Sequence, residues 1–179
     1  ESQGKREMIF SKHLYIERED FRETANRKFF RLTIGKEVRL KNAYIIKAEN
    51  CIKNEKGEVI EVHCTYDPKS KSGSNSEESK RKVKGTIHWV DINSSIDVKI
   101  NEFDRLFLNE KPEESHDLLK SINSDSKKLI EGKSEQFISS LKKGQKVQFQ
   151  RKGYYIVDDN QHGCMSFNKT VGLRDGWKK

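Results

Sequence analysis

With 179 residues, 36 Lys and Arg against 28 Asp and Glu, and a formal charge of +8, the chain has room for one ordinary domain or two small ones. At 32% apolar and 36% charged residues it lacks the material for one large core, yet its aromatic and β-branched residues cluster, which excludes a disordered chain and leaves small cores wrapped in charge. No apolar run approaches the roughly 18–20 residues of a membrane span, so the expectation is a cytoplasmic protein with no membrane partner, and the cation excess points to an anionic one, nucleic acid first.

From the N-terminus, Leu14 and Ile16 open an apolar stretch, and the mixed-charge EREDFRE, residues 17–23, reads as a short helix or turn. Phe29, Phe30 and Leu32 restart a strand-like pattern, and Val38 and Leu40 then alternate with Arg39 and Lys41. AYIIKAENCI and VIEVHCTYD flank NEKGEV, residues 54–59, whose Asn and Gly accept the backbone angles that hairpins need. PKSKSGSNSEESKRK, residues 68–82, has no large apolar residue and reads as a flexible exposed loop. RKVKGTIHWV, residues 81–90, puts Val83, Gly85, Ile87 and Trp89 on one face of a strand and Lys82, Lys84, Thr86 and His88 on the other.

Beyond the INSS connector, IDVKINEFDRLF supplies a further strand. KPEESHDLLKSINSDSK carries a short helical signal, with Glu113 and Glu114 suited to a helix start and Leu118, Leu119 and Ile122 forming an apolar cluster. KKLIEG, KVQFQRKGYYIVDD and CMSFNKTVGL return to strands. Many short antiparallel strands with few helices predict a mainly all-β protein of closed barrels or a sandwich, since closure protects strand edges. Two small barrels suit the modest apolar content.

Catalytic chemistry has little to stand on. Cys51, Cys64 and Cys164 are odd in number and irregularly spaced, which argues for a reducing compartment and against a disulfide framework or a metal site; Cys51 and Cys64 read as small apolar residues of a hairpin core. Neither GxxxxGK[ST] nor GxGxxG occurs, and the carboxylates sit in charged runs that read as solvated faces. The basic residues stand out by position: Arg31, Arg39 and Lys41, and further on Gln148, Gln150 and Arg151, alternate with apolar neighbours and should emerge from strand faces. Arginine offers a bidentate fork and glutamine both a donor and an acceptor, the groups that read single-stranded bases. An ordinary charged sheet exterior remains the alternative.

EREDFRETANRKFFRLTIGKEVRLKNAYIIKAE, CTYDPKSKS, RKVKGTIHWV, DRLF and FNKTVGLRDGW, in that order, resemble the C-terminal region of the glutaminyl-tRNA synthetases, over nearly the whole chain. The resemblance implies an anticodon-binding region of two small antiparallel β-barrels of the ribosomal-protein-like type, a distal one at residues 27–100 and a proximal one from residues 1–26 with 101–179. It implies tRNA as partner, glutamine isoacceptors bound at the anticodon arm, and an N-terminal catalytic domain with HIGH-like and KMSKS-like motifs that uses ATP; those motifs are absent here, so the chain is expected to be a non-catalytic fragment needing no cofactor itself. Arg31 matches the reader of the third anticodon base, a guanine; Arg39 and Lys41 match the pair near the first base; Gln148 and Arg151 match residues around the middle uracil. Arginine is expected where Lys41 stands, and lysine where Phe30 stands. Lys28, Lys82 and Lys84 add to the positive field. A related glutamyl-tRNA synthetase region, a general β-barrel RNA-binding module and a scaffold domain stay open.

Overall fold

The computed structural model describes residues 6–112, 117–161 and 164–173. The chain divides into two compact units, Phe10–Ile92 and the flanking chain on either side of it. Each has its own core, as a composition too poor for one large interior requires.

In the Phe10–Ile92 unit, β2 (Glu37–Leu40), β3 (Ile45–Lys53), β4 (Val59–Asp67) and β5 (Thr86–Ile87) form a sheet in the order β4-β3-β2-β5, while β1 (Leu14–Ile16) pairs antiparallel with β6 (Trp89–Asp91). The alternation in VRL buries Val38 and Leu40 completely, and they pack with Leu32, Ile46, Ile87 and Trp89. β3 and β4 are the expected hairpin: Asn54 Oδ1 accepts from the amides of Lys56 and Glu58, and Gly57 takes the positive φ of +78° that the turn requires. EREDFRE settles as a three-residue 3-10 turn, Arg18–Asp20. Ile87 and Trp89 are buried with Lys82 and Lys84 exposed, as the period of two predicts.

The serine-rich segment differs from its expectation as a flexible loop. Side-chain oxygens cap its turns: Asp67, just before it, accepts from Lys69 N to cap the 3-10 turn Pro68–Ser70, and Ser76 accepts from Ser79 N at 3.0 Å to start α1 (Glu77–Lys80). Ser70 is fully buried, its Oγ accepting from Ile45 N at 2.8 Å. Composition missed this because hydroxyls that solvate a loop also fold one.

The flanking unit is built on β7 (Ile96–Phe103), β8 (Lys127–Ser134), β9 (Lys146–Phe149), β10 (Gly153–Gln161) and β11 (Cys164–Val171), ordered β8-β7-β11-β10-β9. Val98, Ile138, Tyr155, Val157, Met165 and Phe167 form its core, and Arg6 makes a two-armed ion pair with Glu135 at 2.5 and 2.7 Å. Where the sequence carries the short helical signal, the described residues hold a 3-10 turn, Leu118–Ser121, and Leu108 N and Asn123 N bond across to Ser121 O and Leu106 O rather than along a helix. Leu118, Leu119 and Ile122 are exposed, not a packed cluster; Glu113 and Glu114 lie outside the described residues.

The mainly β expectation holds, but closure does not: among the described residues the sheets are open, and β2–β5 and β7–β11 run parallel. The β8 edge is protected instead by lysines, Lys127, Lys128 and Lys133. The expected division at 27–100 also moves. Residues 10–26 join the middle unit because β1 pairs with β6 and Phe21 bridges Leu32, whereas β7, which a boundary at residue 100 would cut, belongs wholly to the flanking unit.

Candidate nucleic-acid interface

The turn at Arg18–Asp20 brings the chain back alongside Arg31 and Leu32. Leu32 N donates to Asp20 O at 2.9 Å and Arg22 N donates to Leu32 O at 3.1 Å, fixing the two segments side by side. The Asp20 carboxylate is buried, with 1% of the side chain exposed, and accepts from Arg31 Nε at 3.0 Å. A buried carboxylate is costly without such a cationic partner. Arg31 Nη1 also donates to Phe30 O at 2.9 Å, and the arginine side chain keeps 35% of its surface exposed.

That exposed edge borders a shallow basin of about 670 Å³, a size in the range of roughly 300–1,000 Å³ common to ligand sites. Arg27, Arg31, Lys36, Lys47 and Lys84 line it, against one carboxylate, Glu37. Glu37 is itself engaged by Arg81, whose pKa it raises through their hydrogen bond. Phe29 and Phe30 supply aromatic surface: Phe30 is 47% exposed with Lys84 Nζ 5.8 Å from its ring centre, and Arg22 lies 4.7 Å over the Phe29 ring. Cations around an exposed ring are the elements of a site for a base and its phosphate.

Of the predicted residues, Arg31 and Lys84 meet in this basin. Arg39 does not line the basin: its guanidinium donates to the carbonyls of Ser70 at 2.9 Å, Ser79 at 2.9 Å and Arg81 at 3.2 Å and to Ser72 Oγ at 3.2 Å, so segment 68–81 folds around it. Lys41 is half-buried, and its main chain bonds to Ile87 O and accepts from Trp89 Nε1. Lys28 and Lys82 are exposed but do not line the basin. Gln148 and Arg151 belong to the flanking unit: Gln148 is exposed on β9 opposite Tyr154, and Arg151 stands at φ +72° in the turn into β10.

Sequence reasoning missed Arg27, Lys36, Lys47 and Asp20. Lys47 reaches the basin because it pairs across strands with Glu37, a register that alternation alone does not give. A larger cleft, about 1060 Å³, lies between the Phe10–Ile16 stretch and β4, but it is mainly apolar and its Arg18 is tied to Val59 O. Cys64, exposed as a residue, has its thiol pushed up to about 11 by crowding around the sulfur and by the Glu49 carboxylate, the reverse of an activated nucleophile. Among the described residues no group of His, Cys, Asp and Glu is arranged to hold a metal ion, and no helix is long and apolar enough to cross a membrane.

Comparison with known proteins converges on the same chemistry. Residues 1–67 and 86–158 match two family models, each described as tRNA synthetases class I (E and Q), anti-codon binding domain. Similar curated proteins include the glutamine–tRNA ligases of Vibrio parahaemolyticus, 45% identical over 178 residues, and Rhodopirellula baltica, 48% identical over 183. These alignments cover 98% and 100% of this chain but 32% and 30% of those proteins, so the chain spans about a third of the length of the relatives it matches. The chain belongs to the anticodon-binding region of the class I tRNA synthetases of the E and Q type.

Proposed function

We propose that the chain binds the anticodon arm of tRNA, in particular of glutamine isoacceptors, and gives tRNA selectivity to the ATP-dependent joining of glutamine to tRNA in the cytoplasm. ATP and the catalytic groups belong, on this reading, to a domain outside the chain. The observation that carries it is the basin itself, in which a fixed arginine edge stands among cations and beside an exposed phenylalanine. The names of the relatives support glutamine over glutamate.

The division of labour follows from the chemistry. Arg27, Lys36, Lys47 and Lys84 attract phosphate and make binding salt-dependent, while the ring of Phe30 offers a stacking face. Arg31 presents its outer guanidinium edge to the third anticodon base, where guanine offers O6 and N7 as paired acceptors. Lys41 serves near the first base as a point charge, and Arg39 acts through the segment it holds. Gln148 and Arg151 read around the middle uracil.

Arg31→Ala tests this directly. Against an anticodon stem-loop with guanine in the third position, binding is expected to fall roughly 10–100-fold; against one altered at that position it should fall only a few-fold. Fluorescence anisotropy on both RNAs measures the difference. Equal losses would make Arg31 a phosphate contact.

A further inference from the structure

We infer that Asp20 is a positioning residue for base discrimination: it fixes the plane of the Arg31 guanidinium so that its outer edge meets a base rather than a phosphate. The inference rests on the reading of Arg31 as the third-base contact and adds to it a residue buried behind the site.

Two hydrogen bonds hold the Arg31 side chain, and two main-chain bonds hold the carboxylate that makes one of them. Asp20 Oδ1 accepts from Nε at 3.0 Å, Phe30 O accepts from Nη1 at 2.9 Å, and the main-chain bonds between Asp20 and Leu32 and between Arg22 and Leu32 hold the carboxylate opposite. A guanidinium is planar, so fixing Nε and one hydrogen of Nη1 fixes the plane in which the remaining donors lie. Among those donors, one hydrogen on Nη1 and one on Nη2 make the two-donor pair that matches guanine O6 and N7. The Asp20 side chain is almost wholly shielded from water, so its bond to Arg31 is not diluted by competing solvent.

Charge points the same way. Asp20 offsets much of the Arg31 charge at close range, which weakens Arg31 as a phosphate attractor and leaves directional hydrogen bonding as its contribution. The cations of the basin that bind no buried carboxylate, Lys36 and Lys84 among them, carry the long-range attraction instead. Discrimination and salt dependence should therefore separate when Asp20 is changed.

The test is a double-mutant cycle in the 179-residue chain, with stem-loops bearing guanine or another base at the third anticodon position titrated at several salt concentrations. The quantity read is the ratio of the two dissociation constants. Asp20→Asn, nearly isosteric, is expected to lower that ratio by roughly fivefold or more, because a neutral acceptor holds the guanidinium less firmly, and to steepen the salt slope by up to about one, because the Arg31 charge is no longer offset. Placed on Arg31→Ala, the same change should alter the ratio by less than about twofold. Thermal melting of each variant confirms that titration is done on folded protein. Should Asp20→Asn melt too low, Asp20→Glu replaces it, since one added methylene displaces the carboxylate and should also lower the ratio.

A parental ratio in the folded Asp20 variant, or the same loss with and without Arg31, would overturn the inference. If Arg31→Ala itself keeps the parental ratio, the reading of Arg31 fails and the role of Asp20 falls with it. If Arg31→Ala loses discrimination and the Asp20 variant does not, only the positioning role fails.

Discussion

Replacing Gly85 with alanine should destabilise the Phe10–Ile92 unit by about 2–6 kcal/mol and disturb the RNA basin with it. Gly85 stands at φ +112°, a conformation that side-chain-bearing L residues rarely adopt, and a Cβ there would lie 2.3 Å from Phe30 O and 3.0 Å from Phe30 C. The obstacle is backbone, so no flexible side chain can swing away. Strain of about 1–3 kcal/mol at the residue and overpacking of about 1–3 kcal/mol against Phe30 make up the range. Phe30 O also accepts from Arg31 Nη1, and Gly85 O accepts from Arg39 N at 3.1 Å, so relief of the clash must displace either the base-reading arginine or β2. Urea unfolding of Gly85→Ala measures the first effect and stem-loop binding the second. A loss below about 1 kcal/mol would show that Phe30 yields more easily than this packing allows.

Arg39→Ala should cost about 2–4 kcal/mol and release segment 68–81 from the sheet. Three carbonyls and one hydroxyl from that segment converge on the guanidinium, and removing it leaves them without the partner around which they are arranged. Hydrogen exchange should show the change locally: the Ser72 amide, bonded to Ala43 O at 2.9 Å, and the Ser79 amide, bonded to Ser76 Oγ, lose protection. Binding should weaken by a similar factor on every stem-loop, because Arg81 then no longer holds Glu37 and an unpaired carboxylate faces the phosphates. Retained protection at Ser72 and Ser79 would contradict the role of Arg39 in holding the segment. A loss on the glutamine stem-loop that disappears when one of its bases is altered would return Arg39 to base reading.

The strand pattern was legible where one face is buried and the other wet. Val38 and Leu40 against Arg39, and Ile87 and Trp89 against Lys84 and Thr86, obey it, and the Asn54 to Gly57 turn follows from local chemistry alone. What the sequence hid were contacts between residues far apart in it. Alternation tells that Arg39 leaves the core side of β2; it does not tell that a serine-rich segment some 30–40 residues later folds over it. Asp20 looked like one more carboxylate in a charged run, yet a short turn buries it against Arg31. Leu118, Leu119 and Ile122 read as a helical cluster because their spacing fits one, but Ser121 O and Asn123 N bond across to Leu108 N and Leu106 O, which stops the turn after Ser121. The lysines of the basin come from β3, from the entry to β2 and from the stretch before β5, and only the sheet register gathers them.

The most direct measurement is the binding of the chain itself to three labelled RNAs at two salt concentrations: the anticodon stem-loop of a glutamine tRNA, the same loop changed at the third base, and an unrelated hairpin of equal length. Anticodon reading by the Arg31 basin predicts salt-sensitive binding of all three, with the glutamine loop tightest by roughly tenfold or more over the altered loop at both salts. Equal affinities for the three RNAs would contradict it and leave a charge-driven RNA-binding module. No binding at the lower salt would remove RNA from the function of this surface altogether.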